Sequence, residues 1–117
     1  MARRFAYQGT KFLIAYAREK SGDNPGYDFF ENLDRVEQAK LSALFIILGD
    51  HGNFYNKEKF GDLGEGLYEF ESFQIRMPFA YAKAERKLIL ITHEFTKKRD
   101  KTPKEEIARA RRILEED

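Results

Sequence analysis

Side chains able to hold phosphate and move protons are unevenly placed along this chain. Lys97–Lys104 reads KKRDKTPK, five basic residues against one acid. Such a patch can bind a phosphate backbone even on a nearly neutral protein. Arg76 stands inside the aromatic stretch FQIRMPFAY. Its planar, permanently charged fork suits two oxygens of one phosphate. His51 and His93 are the only imidazoles, and imidazole is the usual proton carrier near neutral pH. The absence of cysteine excludes a thiol nucleophile, a disulfide framework and a thiolate metal site. No ligand spacing suggests a metal. Gly61, Gly64 and Gly66 precede a strand pattern rather than a helix, which argues against a nucleotide-cradling loop. The expectation is therefore a site without metal or cofactor.

The net charge of +1 hides an asymmetry. The first twenty residues carry five basic side chains and one acid, whereas residues 50–75 carry two basic and six acidic ones. Residues 83–117 are basic again, with eleven against eight. Hydrophobic residues make up 42% and aromatics 15% of the 117 residues. That composition fits one packed domain rather than a disordered chain, with residues 1–10 as an N-terminal extension or short helix. No run is long or apolar enough to span a bilayer. No secretory signal pattern follows the MARRF start, so the cytoplasm is the expected location.

The remaining elements must position those side chains. KFLIAYA (Lys11–Ala17) has strand composition and ends at the turn cluster SGDNPG. A short helix over Tyr27–Leu33 follows. Asp34 and Glu37 have capping-box spacing for a second helix, with Val36, Ala39, Ala43, Leu44 and Ile47 along one side and Gly49 as its stop. Three strands come next: Gly66–Glu71, Phe73–Tyr81 and Lys87–Phe95. In the second, Phe73, Ile75, Met77, Phe79 and Tyr81 share a face opposite Arg76, and Pro78 marks an edge or bulge. The third is apolar on both faces at its start, as a covered central strand would be. Thr102, Pro103 and Glu105 fit the cap, first and third positions of a final helix with Ile107, Ala110 and Leu114 as its apolar stripe. The expected fold is α+β: a small antiparallel sheet, two helices after the first strand, and a C-terminal helix.

Leu63–Glu69 (LGEGLYE), Arg76 in its aromatic strand, His93-Glu94-Phe95-Thr96-Lys97-Lys98 and Lys101-Thr102-Pro103 together resemble the RelE/HigB toxin superfamily, in its phage-derived branch. The resemblance covers about Lys11 to Glu116. It implies a bacterial type II toxin–antitoxin role, ribosome-dependent cleavage of mRNA, and an antitoxin partner that often carries a helix-turn-helix. A sister group on this scaffold inhibits DNA gyrase and cuts no RNA, so a non-nuclease toxin-like protein or an inactive interaction module is the alternative.

Metal-free RNA cleavage by the RNA's own 2′-OH needs a proton acceptor, a cation for the phosphorane and help for the departing 5′-oxygen. The resemblance implies that Arg76, Lys97, Lys98 and His93 supply these functions. Lys57, Lys59, Arg99, Lys101 and Tyr81 are candidates to hold RNA, with Tyr68 able to stack on a base. Arg109, Arg111 and Arg112 could grip ribosomal RNA, and His51 could be a second acid–base group. Each has a structural alternative: Arg76 pairing with Glu69 or Glu71 across strands, His93 packed at the edge of the core, the lysines solvated. One position departs from the resemblance. Many relatives of that superfamily follow a Leu-Tyr/Trp-Glu-Leu segment with an arginine, where this chain has Glu71 after Leu67-Tyr68-Glu69-Phe70.

Overall fold

The α1 helix (Pro25–Glu31) and the long α2 helix (Arg35–His51) follow two short N-terminal strands, β1 (Phe5–Gln8) and β2 (Leu13–Tyr16). Then come β3 (Phe60–Gly64), β4 (Leu67–Ser72), β5 (Ile75–Tyr81), β6 (Leu88–Ile91), β7 (Phe95–Thr96) and the α3 helix (Lys104–Glu116). This computed structural model describes residues 3–52, 59–97 and 101–117. The seven strands form one sheet in the order β1-β2-β6-β5-β4-β3, with β7 pairing β5. The expected α+β class and the antiparallel meander β3–β6 are present. The sheet as a whole is mixed, because β2 runs parallel to β6.

Strand alternation sorts the side chains onto two faces. Ile14, Tyr16, Phe70, Met77, Phe79, Ile89 and Ile91 pack against Leu41, Leu44, Phe45 and Leu48 of α2. Ala15, Ala17, Leu88 and Leu90 point the other way, onto Ile113 of α3. Thus α1 and α2 cover one face and α3 crosses the other, and β6 is buried along its whole length. Phe70 lies at the centre of an aromatic cluster, 4.4 Å from Phe79, 5.1 Å from Phe45 and 5.6 Å from Phe60 between ring centroids.

Several local expectations change. The N-terminal segment supplies an edge strand, β1, paired with β2. The buried side of α2 is Leu41, Leu44, Phe45 and Leu48. Of the expected stripe only Leu44 is buried; Val36 and Ile47 face outward, 63% and 41% exposed. Asp34 caps α2 by accepting from the Glu37 N–H at 2.8 Å. The helix runs through Gly49 to His51 and stops at Gly52, whose φ of +77° is the left-handed C-terminal conformation. Gly49 serves close approach instead. Its carbonyl accepts from the N–H groups of Lys11 and Phe12, and a β-carbon there would meet the Tyr7 ring at 2.7 Å. Phe73 leaves the alternation of β5 and occupies the two-residue turn between β4 and β5. Thr102 does not cap α3, which begins without a side-chain cap.

Pro78 marks a bulge in its neighbour. Phe79 pairs with Ile91, and Arg76 pairs with Phe95, so three residues, Thr92–Glu94, face the two residues Met77 and Pro78. The Pro78 carbonyl accepts from the Thr92 N–H at 2.9 Å and from its hydroxyl at 3.2 Å. One extra residue reverses the facing of every later side chain on the strand. Ile91 lies on the α2 face and Phe95 on the Arg76 face.

Candidate functional site

The α3-side face of β4 and β5 carries Glu69, Glu71 and Arg76. Glu69 and Glu71 are two apart on β4 and so share a face, and Arg76 sits directly across from Glu71 in the antiparallel register. Arg76 Nη2 lies 3.4 Å from Glu71 Oε1, and its Nε lies 4.0 Å from Glu69 Oε2. That Nε is buried and makes no hydrogen bond. Nη1 donates to the carbonyls of Phe73 and Ile75, at 2.5 and 2.9 Å. The guanidinium is thus held at the hairpin end of the sheet, with its side chain 12% exposed.

The two carboxylates differ. Glu69 is buried and accepts a hydrogen bond from the Thr102 hydroxyl at 3.0 Å. Burial pushes its carboxyl above the usual range. The Thr102 bond draws it down, Glu71 pushes it further up, and Lys97 and Arg76 oppose that. Glu71, with a side chain 18% exposed, reaches solvent. Gly61 on β3 leaves room for both, since a β-carbon there would lie 2.8 Å from a Glu71 carboxylate oxygen. Lys97 enters the cluster through its charge on Glu69, and its backbone N–H donates to the Gln74 carbonyl at 2.7 Å.

His93 lies in the bulge and is fully buried. The extra residue turns it toward α3, away from the Ile89 and Ile91 face expected from simple alternation. Nε2 is 3.0 Å from Glu106 Oε1, and Nδ1 is 3.0 Å from the Thr92 hydroxyl. Burial lowers its pKa, while the Glu106 bond pulls the other way and Arg109 adds to the lowering. Nε2 faces the Glu106 carboxylate as a donor, and the direction of the Nδ1–Thr92 bond follows the ring's protonation, because the single hydroxyl proton also faces the Pro78 carbonyl.

The other candidates divide. Lys59 and Lys101 are exposed. Lys57, Lys98 and Arg99 lie outside the described residues. The Tyr81 hydroxyl donates to the Gly52 carbonyl at 2.9 Å, and its ring packs edge-on against Phe12, 5.3 Å away. Tyr68 stacks on Phe79. Arg111 donates to the Gly64 carbonyl at 3.0 Å, and Arg112 pairs with Glu19 and Glu116. His51 is exposed at the end of α2. Among the described residues no three His, Asp or Glu side chains are grouped to hold a metal ion, and no helix is long and apolar enough to cross a membrane.

Sequence reasoning brought Arg76, Glu69, Glu71 and Lys97 into view but not the roles of Thr102 and Glu106. Both fit an ordinary helix-start pattern, which conceals their reach back to the sheet. No curated protein matches the chain. The pattern of a phage-derived family does match it, over residues 28–115. That span runs from α1 through every residue of the Glu69–Glu71–Arg76 cluster to α3, and the chain belongs to the phage-derived, Gp49-like protein family (DUF891).

Proposed function

We propose that this protein is the toxin of a type II toxin–antitoxin system and cuts ribosome-bound mRNA by attack of the RNA 2′-OH on the adjacent phosphorus. Family membership supports the toxin role. The observation that carries the chemistry is the ion pair of Arg76 with Glu71, beside buried Glu69 and with Lys97 close by. It sets a partly exposed carboxylate against a guanidinium at the end of the sheet where the Lys97 backbone also pairs.

Glu71 accepts the 2′-OH proton as the new O–P bond forms. Arg76 exchanges its carboxylate for the phosphorane oxygens, which it can grip with two N–H groups. Lys97 gives a proton to the 5′-oxygen as the P–O5′ bond breaks. The products are a 2′,3′-cyclic phosphate and a 5′-hydroxyl. The ribosome orients the strand, which removes much of the positioning burden from so small a protein. An antitoxin, of the helix-turn-helix type in the resembling branch, and the translating ribosome are the partners. The apolar outer side of α2, with Val36, Ile46 and Ile47 all exposed, supports a protein partner, since exposed apolar patches mark such contacts.

A second reading is favoured by the same ion pair: Glu71 neutralises Arg76, and the protein binds a target without cutting RNA. Induction in bacteria with 5′-end mapping of translated mRNA separates the two. The ribonuclease reading expects growth arrest with new cuts inside translated regions, both abolished by Arg76→Ala. Arrest without cuts would support the binding-only reading.

A further inference from the structure

The turn between β4 and β5 places a bulky aromatic where glycine or asparagine is usual. Phe73 has φ of +54° and is 68% exposed. Neither local conformation nor core packing calls for phenylalanine there. Its ring is not idle, because the Lys40 ammonium of α2 sits 3.7 Å from the ring centroid. Beside the ring a 530 Å³ groove opens, walled by Phe29 and Ile75 and edged by Glu37, Gln74 and Thr96. Apolar walls with a few polar groups at the edges are the make-up of a small-ligand site. A flat ring fits the walls, and the edge groups can read hydrogen bonds around it.

We propose that this groove is a nucleobase pocket that takes guanine from the RNA strand presented to Arg76, an inference that rests on the ribonuclease reading. Phe73 stacks on the base, as aromatics do in single-strand recognition. The Glu37 carboxylate accepts two adjacent N–H groups, which guanine offers at N1 and N2; uracil offers one. The turn also ties the pocket to the cluster. The carbonyl of Phe73 accepts from Arg76, and that of Gln74 accepts from the Lys97 N–H. The groove opens on the α1–α2 side of the hairpin and the guanidinium lies on its other face, so the bound strand passes round the hairpin end between them.

The test is an NMR titration of the labelled full chain with 5′-GMP and with 5′-UMP. The pocket predicts shifts at Phe73, Gln74 and Thr96 with GMP, and binding about tenfold weaker for UMP. Phe73→Gly suits the left-handed turn and is expected to keep the fold while weakening GMP about tenfold, the scale of one base–aromatic stack. Phe73→Trp is expected to retain binding, and Glu37→Gln to erase the GMP preference. Absence of GMP shifts at these residues, or a Phe73→Gly protein that binds like wild type, overturns the pocket. If mRNA is still cut in cells, the pocket alone falls. If GMP binds there but induction gives neither arrest nor cuts, the pocket stands and the ribonuclease reading falls.

Discussion

Glu71 and His93 are both acid–base groups by residue type, yet their surroundings give them opposite prospects. Glu71 reaches solvent and faces a guanidinium across one strand pair. His93 is sealed between the sheet and α3, with both ring nitrogens engaged. Its titration therefore belongs to stability. Burial lowers its folded-state pKa below the ordinary value of 6.5, so the unfolded chain takes up the proton first. Stability is expected to fall as pH drops through about 6.5, where the unfolded histidine begins to charge. Denaturant unfolding between pH 7.5 and about 5 should show this loss, and His93→Gln should flatten it. A wild-type curve that strengthens on acidification across that window would contradict the assignment. The residue types at this site were legible in the sequence, and so was an Arg76 pairing with Glu69 or Glu71. Pro78 pointed to an edge or a bulge, but not to the extra residue in the facing strand, which reverses every later side chain without leaving a mark in composition.

Periodicity served the strands better than the helices. In β4, β5 and β6 each residue has two possible faces, and the apolar alternation from Ile75 to Tyr81 fixes the choice. On α2 almost every turn offers apolar residues in all directions. Val36, Ala39, Ala43 and Ile47 make a credible stripe, but Leu41, Leu44, Phe45 and Leu48 hold more apolar surface and take the core. Larger side chains win that competition because hydrophobic stabilisation follows buried area. Short edge strands such as β1 and β3 carry little signal of their own and exist through pairing with β2 and β4. The cost of disturbing the shared core is steep at Phe70, which is fully buried among Phe45, Phe60 and Phe79. Phe70→Ala is expected to lower the unfolding free energy by about 3–5 kcal/mol, measurable by denaturant titration. A loss below about 1 kcal/mol would mean that the α2–sheet core is not packed as described.

Taken whole, the molecule uses one sheet for two tasks. The face under α1 and α2 is core. The opposite face is core only where α3 crosses β2 and β6, while β4 and the start of β5 keep their polar residues for the Glu69–Glu71–Arg76 cluster. The two ends of the chain close the α3 side. Asp117 accepts from Arg3 at 2.8 Å and from the Arg18 N–H at 2.9 Å, and Lys20 N–H donates to Glu116. That arrangement seats α3 on the sheet and holds Thr102 against Glu69. In the proposed reaction Glu71 and Arg76 act together as base and phosphate clamp. The decisive experiment incubates the purified protein with translating ribosomes and analyses the ends of the cut mRNA, for wild type and Glu71→Gln. Wild type is expected to leave 2′,3′-cyclic phosphate and 5′-hydroxyl ends, and Glu71→Gln to slow the cleavage about 10²–10⁴-fold. Cleavage undiminished or faster in Glu71→Gln, or ends bearing 5′-phosphate, would show that Glu71 is not the base and that the paired mechanism is wrong.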